Sequence, residues 1–118
     1  MNNTRWEDIY DALKLAGLDV YSPAQHQGDC TSPYVVIKNN GSNPYSGLSS
    51  VYTTYDILCY VPISNYSRLE SFVDEVKVIM SGLYPMIIPL NTQTPAFPDD
   101  TNKSFMISIQ YKNNKSIS

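Results

Sequence analysis

Apolar residues near the start of the chain recur at helical spacing. They run along one face from Trp6 to Ala16 and predict an amphipathic helix. Thr4 and Glu7 have the spacing of a capping box, in which each side chain binds a free backbone N–H at the helix start. Gly17 follows the last apolar position, where a left-handed residue commonly ends a helix. The stripe consists of Trp6, Ile9, Tyr10, Leu13 and Ala16.

A longer repeat of the same kind predicts a second helix in the middle of the chain. Ser67 with Glu70 predicts a capping box at its start, and Gly82 predicts its C-terminal cap. The residues between the apolar positions are mostly charged and are expected to face water. The apolar stripe contains Leu69, Phe72, Val73, Val76, Ile79 and Met80, and the solvent face contains Arg68, Glu70, Ser71, Asp74, Glu75 and Lys77.

Alternation with a period of two predicts β-strands at residues 51–61 and 104–112. A β-branched run predicts another strand at 33–38. Residues 86–90 predict a short strand, which is either an edge strand or an irregular one because Pro89 has no N–H to donate. The expected inward faces are Val51, Thr53, Tyr55, Ile57, Cys59 and Val61 in the longest strand, and Phe105, Ile107, Ile109 and Tyr111 in the last strand.

The remaining segments predict connections. Residues 18–32 contain turn residues, and only the stretch 18–22 could form a short strand. Residues 39–50 contain Asn-Gly, Asn-Pro and Ser-Gly pairs and predict a long loop, and 91–103 predict another loop. The order of elements predicts an α+β fold, a mostly antiparallel sheet of about four strands with two helices packed on one face. All 118 residues, 1–118, are expected to form one domain.

Composition narrows the class of protein. The chain is 42% hydrophobic and 16% charged, which suits a folded domain better than a disordered one. A net charge of −3 argues against a sequence-specific nucleic-acid binder, which normally has a basic face. The acidic N-terminal stretch and the lack of a long apolar run predict no export signal and no membrane span. Cys30 and Cys59 are therefore expected to be free thiols in a reducing cytosol.

Two catalytic or metal-binding alternatives involve the loop around the single histidine. His26 and Cys30 could form a nucleophile and its base, as in a small Cys/His hydrolase. With Asp29 between them, they could also supply three zinc ligands. A four-residue spacing in a loop fixes neither geometry, so we predict no catalytic residue, no metal site and no cofactor, and keep the hydrolase as an alternative.

The loop before the last predicted strand contains two adjacent aspartates, Asp99 and Asp100. Acid/base and two-metal sites need carboxylates that converge from different elements, whereas neighbouring side chains diverge. The residues around the pair, 98–102, have the chemistry of a β-turn or an Asx-turn. We therefore predict a turn that leads into the last strand, with an ion pair to another subunit or a bridging cation as its further use.

Four stretches of the sequence occur in a characteristic order: PYVVIKNNG, YDILCYVPISNYSRLESFVDEVKVIM, YPM, and TPAFPDDTNKSFMISIQYKNNK. In this order and spacing, the segment from Pro33 to Tyr111 resembles the tail-terminator, or tail-completion, proteins of long-tailed bacteriophages and phage-tail-like particles. The resemblance covers roughly two-thirds of the chain. It implies a helix before the sheet, a strand that leads into a long amphipathic helix, and a last strand that returns to the sheet.

The resemblance also implies a structural role rather than catalysis. Such proteins form a ring, usually a hexamer, that caps the head-proximal end of the tail and stops polymerisation. The implied partners are other copies of the chain, the tail tube or sheath protein, and a head connector, and DNA can pass through the ring. The implied location is the virion or a headless tail-like particle, where the ring acts as a collar, after assembly in the cytoplasm of a bacterial host.

Two points stay open at this stage. The connecting loops are short, without the insertions of some family members, so the ring could end a tube, a contractile sheath, or both. A head–tail connector that binds the portal side is the alternative function.

The candidate contact residues lie in two loops. Ten tyrosines are a large number for a chain of this length, and tyrosine combines an apolar body with a polar tip that suits interfaces. The candidates near the long loop are Asn43, Tyr45 and Tyr52, and those in the second loop are Asp99 and Asp100.

Overall fold

The computed structural model describes residues 6–23, 25, 28–44, 51–84, 86–99 and 103–113, with backbone alone at 40–44, 51–52 and 91–92. The elements in chain order are α1 (Trp6–Leu15), β1 (Val20–Tyr21), β2 (Tyr34–Pro44), β3 (Val51–Pro62), a 3-10 helix (Ile63–Arg68), α2 (Leu69–Ser81), β4 (Ile87–Gln93), β5 (Phe97–Asp99) and β6 (Ser104–Asn113).

The strands form one mixed sheet in the order β1-β2-β3-β6-β4, and β5 also pairs with β6. Only β1 and β2 are parallel, while the other four pairings are antiparallel. The predicted α+β class and mostly antiparallel sheet are confirmed. The described residues form six strands rather than about four, because the short stretch after α1 forms β1 and the loop predicted at 91–103 contains β5.

One face of the sheet carries both helices. The inward side chains of β3 from Tyr55 onwards are fully buried, as their alternation predicts. The apolar stripes of α1 and α2 pack into the same cluster, so the prediction of two helices on one face is confirmed. We call this the covered face. Its cluster includes Ile9, Leu13, Val35, Ile37, Tyr55, Ile57, Cys59, Val61, Leu69, Phe72, Val73, Val76, Met80, Ile107, Ile109 and Tyr111.

The opposite face, which we call the open face, has a smaller cluster. Its buried members are Cys30, Tyr34 and Val36, with Tyr21, Leu58 and Tyr60 packed against them. The rings of Tyr34 and Tyr60 are stacked with centroids 4.6 Å apart, and the ring of Tyr21 meets Tyr34 edge-on at 5.5 Å. No helix contributes to this cluster among the described residues.

The end of α1 follows the predicted geometry. Gly17 has a φ of +91°, which is the left-handed conformation that favours glycine. The Leu18 N–H donates to the Leu13 carbonyl at 3.2 Å, and the Gly17 N–H donates to the Lys14 carbonyl at 2.9 Å. This pair of bonds is a Schellman motif, which satisfies carbonyls that the helix leaves free. Thr4, which was predicted to cap the other end, lies outside the described residues.

The predicted ends of α2 are wrong in detail. A 3-10 helix leads directly into α2 through Arg68, so Ser67 lies inside that turn and makes no capping box. The Ser71 hydroxyl instead donates to the Arg68 carbonyl at 3.0 Å. At the other end, Gly82 is the C-cap residue, as predicted, but its φ of −70° is right-handed rather than left-handed.

The loop predicted at residues 39–50 is in part a strand. β2 continues through this segment to Pro44, with a register shift between Asn39 and Ser42. The Asn-Gly pair lies in this shift, and the Asn-Pro pair does not break the strand because β3 pairs with β2 on both sides of the shift. Such tertiary pairing overrides local turn preference. The bulge absorbs the irregularity.

Candidate functional site

The hairpin of β2 and β3 extends past the rest of the sheet. On one side, β6 pairs with β3 only from Thr54 to Pro62. On the other side, β1 pairs with β2 only at Val35 and Val36. We define the arm as residues 40–44 and 51–52, the part of the hairpin beyond both neighbours. Within the described residues the arm is a two-stranded ribbon, and the molecule is accordingly long, with extents of 49 × 27 × 23 Å.

The root of the arm is held by a buried side chain. The Asn113 amide oxygen accepts a hydrogen bond from the Thr53 N–H at 2.7 Å, and Asn113 is only 1% exposed. The β3–β6 backbone pairing ends at Thr54 and Lys112, and the side-chain amide of Asn113 adds one more hydrogen bond to β3 beyond that end. On the β2 side, the Trp6 indole N–H donates to the Ile37 carbonyl at 2.9 Å and ties that strand to α1. The arm therefore starts from a fixed base.

The structure brings together two of the predicted contact residues. Asn43 and Tyr52 are directly opposite each other in the arm. Asp99 lies at the other end of the sheet, where it faces Ser104. The two positions are separated by ten residue steps along β3, from Tyr52 to Pro62, or about 33 Å at the usual strand rise. Tyr45 and Asp100 lie outside the described residues.

Asp99 ends β5, and β6 returns antiparallel to it from Ser104, so the chain reverses between them. Residues 100–102 of the predicted turn lie outside the described residues. β5 and β6 are antiparallel neighbours on either side of this reversal, and Lys103 adopts a positive φ of 54° there. The Lys103 ammonium lies 3.8 Å from the Asp29 carboxylate in an exposed ion pair. Burial raises the pKa of Tyr60, and the nearby negative charge of Asp99 raises it further. Asp99 thus borders the tyrosine cluster of the open face.

The loop thiol is poorly suited to nucleophilic chemistry. Cys30 is 6% exposed, and its Sγ donates to the Ser32 carbonyl at 3.4 Å. Burial raises the pKa of this thiol, so the reactive thiolate is scarce at neutral pH. His26, the predicted base, lies outside the described residues. In the part of the chain that the structure describes, no group of three or more His, Cys, Asp or Glu residues could hold a metal ion.

A groove of about 610 Å³ opens between the C-terminal part of α2 and strands β4 and β6. At its rim the Lys77 ammonium donates to the Gln93 side-chain oxygen at 2.6 Å. Ser81 and Gln110 are the other polar lining residues, so most of the wall is apolar. The apolar lining residues are Met80, Tyr84, Ile87, Pro89, Ile109 and Tyr111.

Large apolar side chains are exposed next to this groove. Val78 is 71% exposed, Tyr84 is 66% exposed and Met86 is 41% exposed. They follow one another at the end of α2 and in the turn before β4. Of the three, Tyr84 also lines the groove.

The distribution of charge separates these regions from the rest of the chain. No residue from 39 to 55 is charged, which covers the arm, and no residue from 78 to 98 is charged, which covers β4. The outer face of α2 is different, since Arg68 and Glu75 form an ion pair of 3.0 Å there. The charge-free stretches are visible in the sequence alone, and they are the signal that would have pointed to β4 and its groove.

No protein-family model matches the chain, and no curated protein matches it. Among the described residues, no helix has the length and apolar content needed to cross a membrane.

Proposed function

We propose that this protein is a structural subunit that assembles into a homo-oligomeric ring, with six copies as the expected number, at the head-proximal end of a phage tail or tail-like particle. The observation that carries the proposal is the arm. A two-stranded ribbon that projects beyond its own sheet has backbone donors and acceptors on both edges, and such edges pair readily with another chain.

The arm suits a ring if it contacts a different patch on the next copy. An arm that paired with the same arm of a second copy would close a two-fold dimer instead. Contacts between different patches are heterologous, and they produce either a closed ring or an open filament. A ring is the form that ends growth, which is what a terminator of a tube requires.

The resemblance of residues 33–111 to tail-terminator proteins supplies the rest of the proposal. The subunit binds the last ring of tail tube or sheath protein, stops further addition, and offers its outer face to a head connector or serves as a collar. The mild negative charge of the chain, −3, disfavours tight binding to DNA, which suits a passage through which DNA moves.

The decisive experiment measures native mass and tube termination together. The purified chain is expected to form a ring by native mass spectrometry, alone or with tail tube protein. Added during polymerisation of that tube protein, it is expected to shorten the tubes and to appear at one end in electron micrographs. A chain that stays monomeric with tube protein present would refute the ring. A chain that forms a ring but binds only portal protein would replace the terminator by the connector.

A further inference from the structure

We propose that the groove between α2, β4 and β6 binds a small amphipathic molecule that has an anionic head group, a carboxylate, on an apolar body. The groove lining combines one cation and a few hydrogen-bonding groups with apolar side chains. Pockets of this composition, with volumes of about 300–1,000 Å³, are typical of small-molecule sites, and this groove measures about 610 Å³. The inference goes beyond the proposed ring, because it concerns a surface within one subunit.

The Lys77 ammonium is the cation at the rim of the groove. Its hydrogen-bond partner is the neutral side-chain amide of Gln93, whose oxygen accepts from it at 2.6 Å. Lys77 forms no ion pair with any described residue, including Asp74 one turn earlier in α2. A carboxylate at this rim would gain a charge-assisted hydrogen bond from the ammonium, and the Gln93 amide carries further N–H donors beside it.

The Tyr111 hydroxyl is the second polar group that the groove offers to a ligand. Tyr111 is only 5% exposed and lines the groove, yet its hydroxyl has no hydrogen-bond partner among the described residues. No side-chain oxygen or nitrogen of those residues is both fully buried and without a partner, so this hydroxyl reaches the groove surface. By contrast, the Ser81 hydroxyl donates to the Val78 carbonyl, and the Gln110 amide donates to the Asp56 carboxylate.

The groove has a polar end and an apolar end. Gln93 pairs with Ile109, and Ile87 pairs with Asn113. Four residue steps of β6 therefore separate the two ends, or about 13 Å at the usual strand rise. Lys77 binds Gln93 at the first end, and the lining towards Ile87 is mostly apolar. A molecule with one charged end and an apolar chain of about this length matches both ends.

Titration calorimetry of the purified full chain with decanoate tests the site. Decanoate is expected to saturate one site per chain. Butanoate has the same head group and a shorter chain, so it is expected to bind more weakly, by about threefold or more for each buried methylene that is lost. Decylamine has the same chain with a cationic head group and is expected to show no saturable binding. Equal affinity for decylamine and decanoate would refute an anion site.

A pair of lysine variants tests the rim. Lys77→Met removes the charge from an exposed side chain, and it is expected to raise the dissociation constant of decanoate by about tenfold. Lys38→Met is the matched control, because Lys38 follows the buried Ile37 in β2 and so lies on the open face. It is expected to leave the constant unchanged. A Lys77→Met variant that binds decanoate as tightly as the unmodified chain would overturn the site.

Tyr111→Phe tests the floor of the groove, since it removes the hydroxyl and keeps the ring. It is expected to raise the dissociation constant of decanoate by about threefold, as for the loss of one hydrogen bond. The melting temperature of the variant without ligand verifies that the fold is kept. An unchanged constant would contradict the contact between Tyr111 and the ligand.

A peptide with an apolar C-terminal residue and a free carboxylate carries the same chemistry and is the competing ligand. If such a peptide binds more tightly than decanoate and loses its affinity in Lys77→Met, the occupant is a protein C-terminus and the small-molecule assignment is refuted. The readout is separate from that of the ring. A chain that forms rings but does not bind decanoate refutes this site alone, and a monomer that binds decanoate refutes the ring alone.

Discussion

Side chains of the same strands have different surroundings on the covered face and on the open face of the sheet. Tyr55, Ile57, Cys59 and Val61 project from β3 into a single core under two helices, and each is fully buried. On the other side of the same strand, Asp56 accepts a hydrogen bond from the Gln110 amide at 2.9 Å. The apolar part of the open face is limited to a small cluster of tyrosines and aliphatic residues.

The difference shows where the stability of the fold lies. The covered face buries apolar area from seven elements, and the hydrophobic effect scales with that area. The open face relies on ring stacking and polar pairs, which contribute less for each residue. Substitutions on the covered face should therefore affect the free energy of unfolding more than substitutions on the open face.

The largest expected effect is the loss of a core aromatic residue on the covered face. Phe72 is 2% exposed in α2, and Phe72→Ala is expected to lower the free energy of unfolding by about 3–5 kcal/mol. Val78→Ala in the same helix is the control, because Val78 is 71% exposed and its loss should cost less than about 0.5 kcal/mol. Urea denaturation measures both, and similar losses would contradict the burial described for α2.

High pH should also act mainly through the covered face. Burial raises the pKa of Cys59 from 9.0 to about 12 and that of Tyr111 from 10.0 to about 12. Both groups ionise more easily in the unfolded chain, so their contribution to stability is complete below pH 9 and falls as the pH rises from 9 to 12. Denaturation at a series of pH values should show this decline. Tyr111→Phe should make it shallower, and an unchanged slope would count against the role of Tyr111.

Loss of a tyrosine ring on the open face is expected to lower the free energy of unfolding by a smaller amount. Tyr60→Ala removes a partly buried ring that stacks on Tyr34, and it should cost about 1–2 kcal/mol. A double-mutant cycle with Tyr34→Ala should give a coupling of about 0.5–1.5 kcal/mol, as expected for an aromatic pair. If Tyr60→Ala lowered the free energy of unfolding as much as Phe72→Ala, the two faces would not differ in their contribution to stability.

The smallest expected effect is a difference in labelling rate between the two thiols, one on each face. Cys30 is 6% exposed at the open face, and Cys59 is fully buried at the covered face. Local opening should therefore expose Cys30, whereas Cys59 should need global unfolding. Labelling by a thiol reagent at neutral pH, followed by peptide mass spectrometry, should modify Cys30 first. Equal rates at the two thiols would show that both faces open together.

Much of the covered face could be predicted from the sequence. The helical stripe of α2 and the alternation of β3 and β6 are strong signals because each element has one face that must leave water. Five of the six stripe residues of α2 are buried, and Ile79 is partly buried. Pro89, which lacks a backbone donor, pointed to an edge or irregular strand, and β4 is the last strand in the sheet order.

The remaining features depend on contacts between distant residues. The segment 39–44 has turn-forming pairs, and only its pairing with β3 makes it a strand. The parallel pairing of Val20 and Tyr21 with β2 leaves no mark in the sequence, because it is set by where α1 ends. Ser67 and Glu70 fit a capping box, but the 3-10 helix before α2 occupies that place.

Only part of the candidate site could be predicted from the sequence, for the same reason. Loop composition pointed to Asn43 and Tyr52, and the structure brings them opposite each other. It gave no hint of the groove, whose walls come from α2, β4 and β6 and meet only in the folded chain. A search for stretches without charge would have found β4, since charge is absent from residues 78–98.

The position of β6 sets the order in which the subunit can mature. β6 lies between β3 and β4 although it follows both in the chain, and its Gln110 bonds to Asp56 across 54 positions. Contacts of such long range close late, after the local β2–β3 hairpin and α2 can form. During synthesis, β6 and the Asn113 side chain that holds the root of the arm are therefore missing until the residues up to Asn113 have left the ribosome. The base of the arm cannot be fixed before synthesis has reached that point.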